Sequence, residues 1–181
     1  MTPDPRDLLI VDAFLAEPKS LVGGHPTWGQ SYIQHEWMAT WIVEDSVGIQ
    51  RAQLRFRCLK GEPSRVSVSL LLRKLMIGRI DIVPPTVCEK NPAWAAGLGL
   101  EATVCGPHHH RWDHNRDWVS KNSIGKLPAR EALPKVRRLS QAVAHLCYHS
   151  QIKLDPDQMG FETRSDGSLF DPTVTHANDD L

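Results

Sequence analysis

Within residues 50–59, apolar and polar side chains alternate without a break from Arg51 to Cys58, and this period of two constrains the fold more than any other feature. Ala52, Leu54, Phe56 and Cys58 occupy one face of the segment, and arginine and glutamine occupy the other. Such alternation is typical of a β-strand with one face in the core and the other in water. We therefore predict an antiparallel sheet that is covered on one side.

Two later runs repeat the alternation. In residues 65–73 aliphatic side chains alternate with polar ones, and in residues 77–83 Arg79 and Asp81 lie on the face opposite to Ile80 and Ile82. Pro84-Pro85 ends the third run, since proline cannot continue a central strand. Together the three runs predict consecutive antiparallel strands.

The remaining patterns complete the predicted domain. Aromatic and β-branched residues predict another strand over 32–43, and helical spacing predicts one long helix over about Ala129 to Gln151. The sequence thus predicts an α+β fold, an antiparallel meander of about four to six strands packed on one long helix in the C-terminal half. Residues 1–154 form this domain, and residues 155–181, with seven acids and one arginine, form an irregular acidic tail.

Composition describes an ordinary globular chain of 181 residues, with 21 basic and 21 acidic side chains and 41% hydrophobic residues. Zero net charge excludes a strong global field but not a local charged patch. The apolar runs are too short for a membrane span and no basic-then-apolar leader opens the chain, so we expect a cytoplasmic protein with no membrane partner. The cysteines form no C-x-x-C pair, and we expect them to be reduced, buried thiols.

Four of the nine histidines fall between residues 108 and 114. If this segment is extended, His108, His110 and His114 project from one face, so three imidazoles can converge. That arrangement favours either a divalent transition metal or acid–base catalysis of phosphodiester cleavage. The alternative is a polar edge strand whose imidazoles are exposed and neither bind a metal nor take part in catalysis. In the catalytic interpretation Asp81 or Asp113 orients an imidazole.

Cationic side chains suggest a binding surface. Residues 51–79 hold eight basic residues against one acid, and Arg51, Arg55 and Arg57 share the solvent face of the predicted strand. Such a face suits RNA or another polyanion, although a solvated face neutralised by the acidic tail is an equal alternative. Near the histidines, the arginines placed to stabilise a bound phosphate are Arg79, Arg111 and Arg116.

His145 and His149 lie four residues apart on the predicted helix and therefore share a face. Leu146 stands where an H-E-x-x-H metalloprotease motif requires glutamate, so that motif is absent. We expect these two histidines to lie on an exposed helix edge.

Three short motifs together resemble a signature of small, uncharacterised bacterial and prophage proteins, some of them similar to components of toxin–antitoxin pairs. The motifs are Arg-Ile-Asp at 79–81, Asn-Pro at 91–92 and Gly-Pro-His-His-His-Arg-Trp at 106–112. This chain has Lys90 where the signature has a histidine, and it carries a third consecutive histidine. The resemblance implies a small α+β domain of mobile-element biology, either a toxin-like ribonuclease or an inhibitor of a host system.

Two functions from different classes follow. The first is a small binding or inhibitor protein that docks on a protein or nucleoprotein partner, with RNA among the candidates, through its charged surfaces. The second is a toxin-like ribonuclease or hydrolase that uses the 108–114 cluster for acid–base or metal-assisted phosphodiester cleavage. Whether the chain is an enzyme, and its oligomeric state, stay open at the level of sequence.

Overall fold

A computed structural model describes residues 4–122 and 125–163. Three α-helices are present there: α1 (Pro5–Ala16), α2 (Trp112–Lys121) and α3 (Leu139–His149). The strands are β1 (Lys19–Leu21), β2 (Gly29–Gln30), β3 (Glu36–Asp45), β4 (Gln50–Leu59), β5 (Glu62–Leu72), β6 (Leu75–Ile82), β7 (Cys88–Lys90), β8 (Thr103–Cys105), β9 (His108–His110), β10 (Glu131–Ala132) and β11 (Ile152–Lys153). The predicted α+β class is confirmed.

Most strands form one sheet in the order β10-β9-β6-β5-β4-β3-β1-β11, with β2 paired to β3. The four long strands β3 to β6 each pair antiparallel with the next one along the chain. At the far edge β1 pairs parallel to β11, so the sheet is mixed and has nine strands among the described residues. The sheet is therefore larger than the meander predicted from the sequence.

The prediction of one long helix over about Ala129 to Gln151 is wrong in its first ten residues. The helix α3 begins only at Leu139, because residues 131–132 pair with β9 and the Leu133 N–H donates to the carbonyl of Pro107 at 2.8 Å. Two further helices, α1 and α2, lie elsewhere in the chain. Residues 125–133 instead form a non-helical segment that pairs with β9 through β10, and we call this segment the strap.

The core lies between the sheet and the helices α1 and α3. Helix α1 contributes Leu8, Val11 and Phe14 to it. Helix α3 packs against β5 and β6, where Gly78 allows a close approach: a Cβ atom there would lie 3.4 Å from the Leu146 side chain. One face of β6 is therefore covered by α3.

Residues 155–163, which the sequence analysis assigns to the acidic tail, pack against the domain. Phe161 is 5% exposed and stacks on Trp28 with ring centroids 5.5 Å apart. The Gln158 amide donates to the carbonyls of Leu21 and Gly23 at 3.1 and 2.8 Å. The rest of the predicted tail, residues 164–181, lies outside the described residues.

Two of the four cysteines form a disulfide, so the expectation of reduced thiols is wrong for this pair. Cys88 and Cys105 lie directly opposite each other in the β7–β8 ladder, which places their side chains side by side. Cys58 and Cys147 lie outside this disulfide and are buried thiols, as predicted. Burial raises the pKa of the Cys147 thiol to about 12.

In the part of the chain that the structure describes, none of the helices has the length and apolar character needed to cross a membrane.

Replacement of Phe161 by alanine tests the packing of residues 155–163. We expect Phe161→Ala to lower the free energy of unfolding by about 3–5 kcal/mol, because it removes a buried ring from an aromatic cluster. Denaturant unfolding measures this, with Tyr148→Ala as the control: that ring is 78% exposed and its loss should cost about 0.5 kcal/mol or less. Equal stability of the two variants would contradict the packing.

Candidate metal centre

The pairing of β9 with β6 assembles the candidate site. His108 lies opposite Asp81 and His110 lies opposite Arg79 in this antiparallel ladder. Because side chains alternate along a strand, His108 and His110 project to the face that also carries Asp81. His109 projects to the other face, toward α3. The Arg-Ile-Asp and His-His-His motifs therefore meet across one ladder.

Asp81, His108 and His110 form a compact, buried group. The Nε2 atoms of His108 and His110 lie 3.5 and 3.4 Å from the same oxygen, Oδ2 of Asp81. The exposed fractions of the three residues are 7%, 2% and 7%. Among the described residues, these side chains form a set whose potential ligand atoms all lie within 4.8 Å of one another.

Backbone carbonyls fix which ring nitrogens carry hydrogen. Nδ1 of His108 lies 2.8 Å from the Gly106 oxygen, and Nδ1 of His110 lies 2.5 Å from the Leu127 oxygen. A carbonyl oxygen only accepts, so each Nδ1 must be the donor. In a neutral imidazole the Nε2 atom then carries a lone pair, and both lone pairs face the Asp81 carboxylate.

This arrangement places three electron-rich atoms around one point. Separations of 3.4 and 3.5 Å exceed the roughly 2.7–2.9 Å of a charge-assisted hydrogen bond, and Nε2 of His108 is buried without a hydrogen-bond partner. Two ligand atoms held about 2.1 Å from one tetrahedral ion stand about 3.4 Å apart. The group therefore has the spacing of a metal centre with two histidines and one carboxylate.

The electrostatics keep Asp81 in its anionic form. Burial by itself would raise the pKa of the Asp81 carboxyl, whereas the positive charge of the Arg79 guanidinium lowers it. Arg79 donates to the other carboxylate oxygen, Oδ1, at 2.8 Å. Oδ2 is thus left to face the two imidazoles, as a monodentate metal ligand would.

The strap supplies the carbonyl oxygen that accepts the hydrogen bond from Nδ1 of His110. Asn115 of α2 is fully buried and clamps the strap: its amide donates to the Ala129 oxygen at 3.0 Å, and its side-chain oxygen accepts from the Ala129 N–H at 2.7 Å. Leu127, two residues earlier, supplies the carbonyl that binds His110. Such outer contacts fix ring orientation in metal sites.

A cleft with a volume of about 210 Å³ lies beside Asp81. Its lining includes Ser67 and the guanidinium-bearing residues Arg57, Arg65 and Arg79. The three arginine side chains are 45%, 43% and 41% exposed, so each presents donors to solvent even though each is paired with a carboxylate. An anion in this cleft would lie next to the Asp81 group.

The structure does not bring His114 or Asp113 into this group. The extended segment ends at His110, and α2 begins at Trp112, so His114 no longer follows the strand alternation. Trp112, Asn115 and Val119 are buried at helical spacing, which explains why the helix forms here. Asp113 instead pairs with Arg111 at 2.5 Å.

Five of the six arginines singled out in the sequence form ion pairs among the described residues. The pairs are Arg51 with Asp45, Arg57 with Glu36, Arg79 with Asp81, Arg111 with Asp113 and Glu131, and Arg116 with Asp12. Arg55 forms none within residues 4–122 and 125–163. Acidic residues of the folded domain therefore neutralise much of the predicted basic face.

His145 and His149 belong to a second histidine cluster that the sequence analysis does not anticipate. The His109 ring lies 5.3 and 5.8 Å from theirs, centroid to centroid, so α3 turns this edge toward β9 instead of presenting it wholly to solvent. Burial and the neighbouring imidazoles lower the pKa of His109 to about 2, and burial lowers those of His145 and His149. In the sequence, the only signal for this contact is the strand alternation, which places His109 on the face opposite to His108 and His110.

Comparison with protein-family models, with curated proteins and with solved structures finds no match for this chain. The class that the fold and the site define is an α+β domain with a buried group of two histidines and one aspartate that could hold a metal ion.

Removal of the Asn115 clamp tests the architecture around the site. We expect Asn115→Ala to lower the free energy of unfolding by about 1–3 kcal/mol, because the buried Ala129 N–H loses its acceptor. Denaturant unfolding gives the value. In the control Asn122→Ala, an exposed amide is removed, and the change should stay within about 0.5 kcal/mol. A clamp variant as stable as this control would show that the strap is held by other contacts.

Proposed function

We propose that the protein is a metal-dependent hydrolase that cleaves phosphodiesters, with a divalent transition metal held by Asp81, His108 and His110. The observation that carries this proposal is the convergence of two imidazole lone pairs on one carboxylate oxygen, with both Nδ1 atoms already donating to carbonyls. A cation between these atoms satisfies all three at once and leaves both imidazoles neutral in a buried site.

The donor set indicates the kind of metal. Two imidazole nitrogens and one carboxylate oxygen suit zinc, iron or manganese, and three protein ligands leave coordination positions open for water or substrate. A metal bound here supplies Lewis acidity toward a phosphoryl oxygen. Arg79 donates a hydrogen bond to Oδ1 of Asp81. The carbonyls of Gly106 and Leu127 accept hydrogen bonds from the Nδ1 atoms of His108 and His110 and so orient the two rings.

The cleft beside Asp81 supports an anionic substrate. Arg57, Arg65 and Arg79 line it, and a guanidinium has five N–H donors, of which a carboxylate partner uses only some. A phosphate bound by these donors would lie beside Asp81, which also lines the cleft. This favours the toxin-like hydrolase over an acid–base mechanism without metal, because the rings are arranged as ligands.

A second candidate is the binding or inhibitor protein of phage or mobile-element type. Arg55 carries no ion pair among the described residues and lines a hollow of about 200 Å³ with Tyr32, which is 89% exposed. A cation beside an exposed aromatic ring suits an RNA or nucleoprotein partner.

The cytoplasmic location stays a prediction, and the Cys88–Cys105 disulfide favours an oxidising compartment instead.

Metal content tests the first part of the proposal. We expect tag-free protein to retain a transition metal through dialysis, and His108→Ala and His110→Ala each to lose one equivalent by elemental mass spectrometry. His114→Ala is the matched control, since His114 lies in the same histidine-rich segment but outside the group, and it should keep the wild-type content.

Asp81→Asn sharpens this test because it preserves the shape of the side chain and removes its charge. We expect it to weaken metal binding by at least about tenfold, as loss of a ligand exceeds the effect of an outer-shell change. Equal metal content in all four variants would refute the assignment of these ligands.

Turnover tests the second part. The metal-loaded protein should hydrolyse bis(p-nitrophenyl) phosphate or labelled oligonucleotides, and His110→Ala should lower kcat by at least about 100-fold. Arg65→Ala should mainly raise KM, because its guanidinium lines the cleft without contacting the metal group. His35→Ala, at an exposed histidine, serves as the control.

A metal-loaded protein that hydrolyses neither probe would contradict the hydrolase. If such a protein still binds RNA, and if Arg55→Glu and added salt weaken that binding while His110→Ala does not, the second candidate is the correct one.

A further inference from the structure

The cluster of His109, His145 and His149 lies on the opposite face of β9 from the Asp81 group and has no part in the function proposed above. His109 comes from β9, and the other two come from the last turns of α3. Helix residues four apart share a face, and this spacing lets two imidazoles bind one metal. The strand supplies a third imidazole to the same space.

The spacing of the rings resembles that of the Asp81 group. The imidazole centroids of His108 and His110 stand 5.1 Å apart. Those of His109 stand 5.3 Å from His145 and 5.8 Å from His149, and the two helix rings stand 4.4 Å apart. Three imidazoles on one tetrahedral metal have centroids about 5 Å apart, so the rings are suitably spaced, and their nitrogens must turn toward one another to share an ion.

Buried nitrogens without partners point to a missing ligand. His109 is 2% exposed, and its Nδ1 has no hydrogen-bond partner; Nε2 of His145 is likewise buried and unpaired. Buried polar atoms are nearly always satisfied in folded proteins, so two such nitrogens in one cluster require an explanation. A metal ion accepts both lone pairs at once.

The surroundings offer a carboxylate, which Arg111 also contacts, and a path from solvent. Glu131 lies directly opposite His109 in the β10–β9 pair, which places its carboxylate on the same face as the imidazole. A cavity of about 310 Å³ borders the cluster and is lined by His109, His149 and Asp113 among others. His149 lies at the exposed rim, where its ring can turn about its side-chain bonds.

We propose that His109, His145 and His149 form a second transition-metal site, of the kind that binds zinc, with Glu131 as its fourth ligand. The chain then carries two metal sites, one on each face of β9. The second site is independent of the hydrolase proposal, because it shares no ligand with the Asp81 group.

Zinc titration of the whole chain tests this proposal. Tag-free protein is stripped with EDTA, titrated with Zn²⁺ by calorimetry, desalted and analysed by elemental mass spectrometry. We expect two equivalents for the wild type, and one each for His145→Ala/His149→Ala and for His108→Ala/His110→Ala. His35→Ala, which changes an exposed histidine elsewhere, should bind two.

The outcomes separate the two sites. Wild-type stoichiometry in His145→Ala/His149→Ala overturns the second site, whatever happens at the first. Loss of zinc in that variant alone overturns the Asp81 site and supports the second. Circular dichroism checks folding, and if the double variant is unfolded, His149→Gln decides: at least about tenfold weaker binding of one equivalent is expected, and unchanged binding refutes the proposal.

Discussion

The antiparallel pairing of β6 with β9 is the contact on which the site depends. It sets Asp81 opposite His108 and Arg79 opposite His110, although these residues are more than twenty positions apart in the chain. A slip of one residue in this register would move both histidines to the helix-covered face. The strap and the buried Asn115 clamp cover the outer side of β9, so the register is supported from both directions.

Strand alternation places the three consecutive histidines of β9 on two different faces of the sheet. His108 and His110 face a carboxylate and an arginine, whereas His109 faces two imidazoles from α3. Each side chain is nearly completely buried, which is costly for a polar ring unless its nitrogens have partners. The metal ligation that we propose on both faces would account for burying three such side chains in one short strand.

Some of this could be predicted from the sequence. The alternation in residues 50–59 predicts a β-sheet with one covered face, and the H-x-H spacing predicts that His108 and His110 share a side. Asp81 was a candidate because it lies on the polar face of its own strand.

The rest depends on contacts between distant segments. The start of α2 at Trp112 removes His114 from the strand, and its N-cap residue, Arg111, offers no side-chain cap that could signal it. The late start of α3 follows from the pairing of residues 131–132 with β9, and the same packing brings His145 and His149 to His109. No local pattern encodes these contacts, since each depends on where a remote strand lies.

Anomalous diffraction at the zinc absorption edge, from crystals grown with zinc, tests the central claim most directly. The account predicts a peak about 2 Å from Oδ2 of Asp81 and from Nε2 of both His108 and His110. If no peak lies there, and a ring nitrogen instead approaches Oδ2 to hydrogen-bond distance, the three residues form a proton-sharing group and the metal centre is refuted.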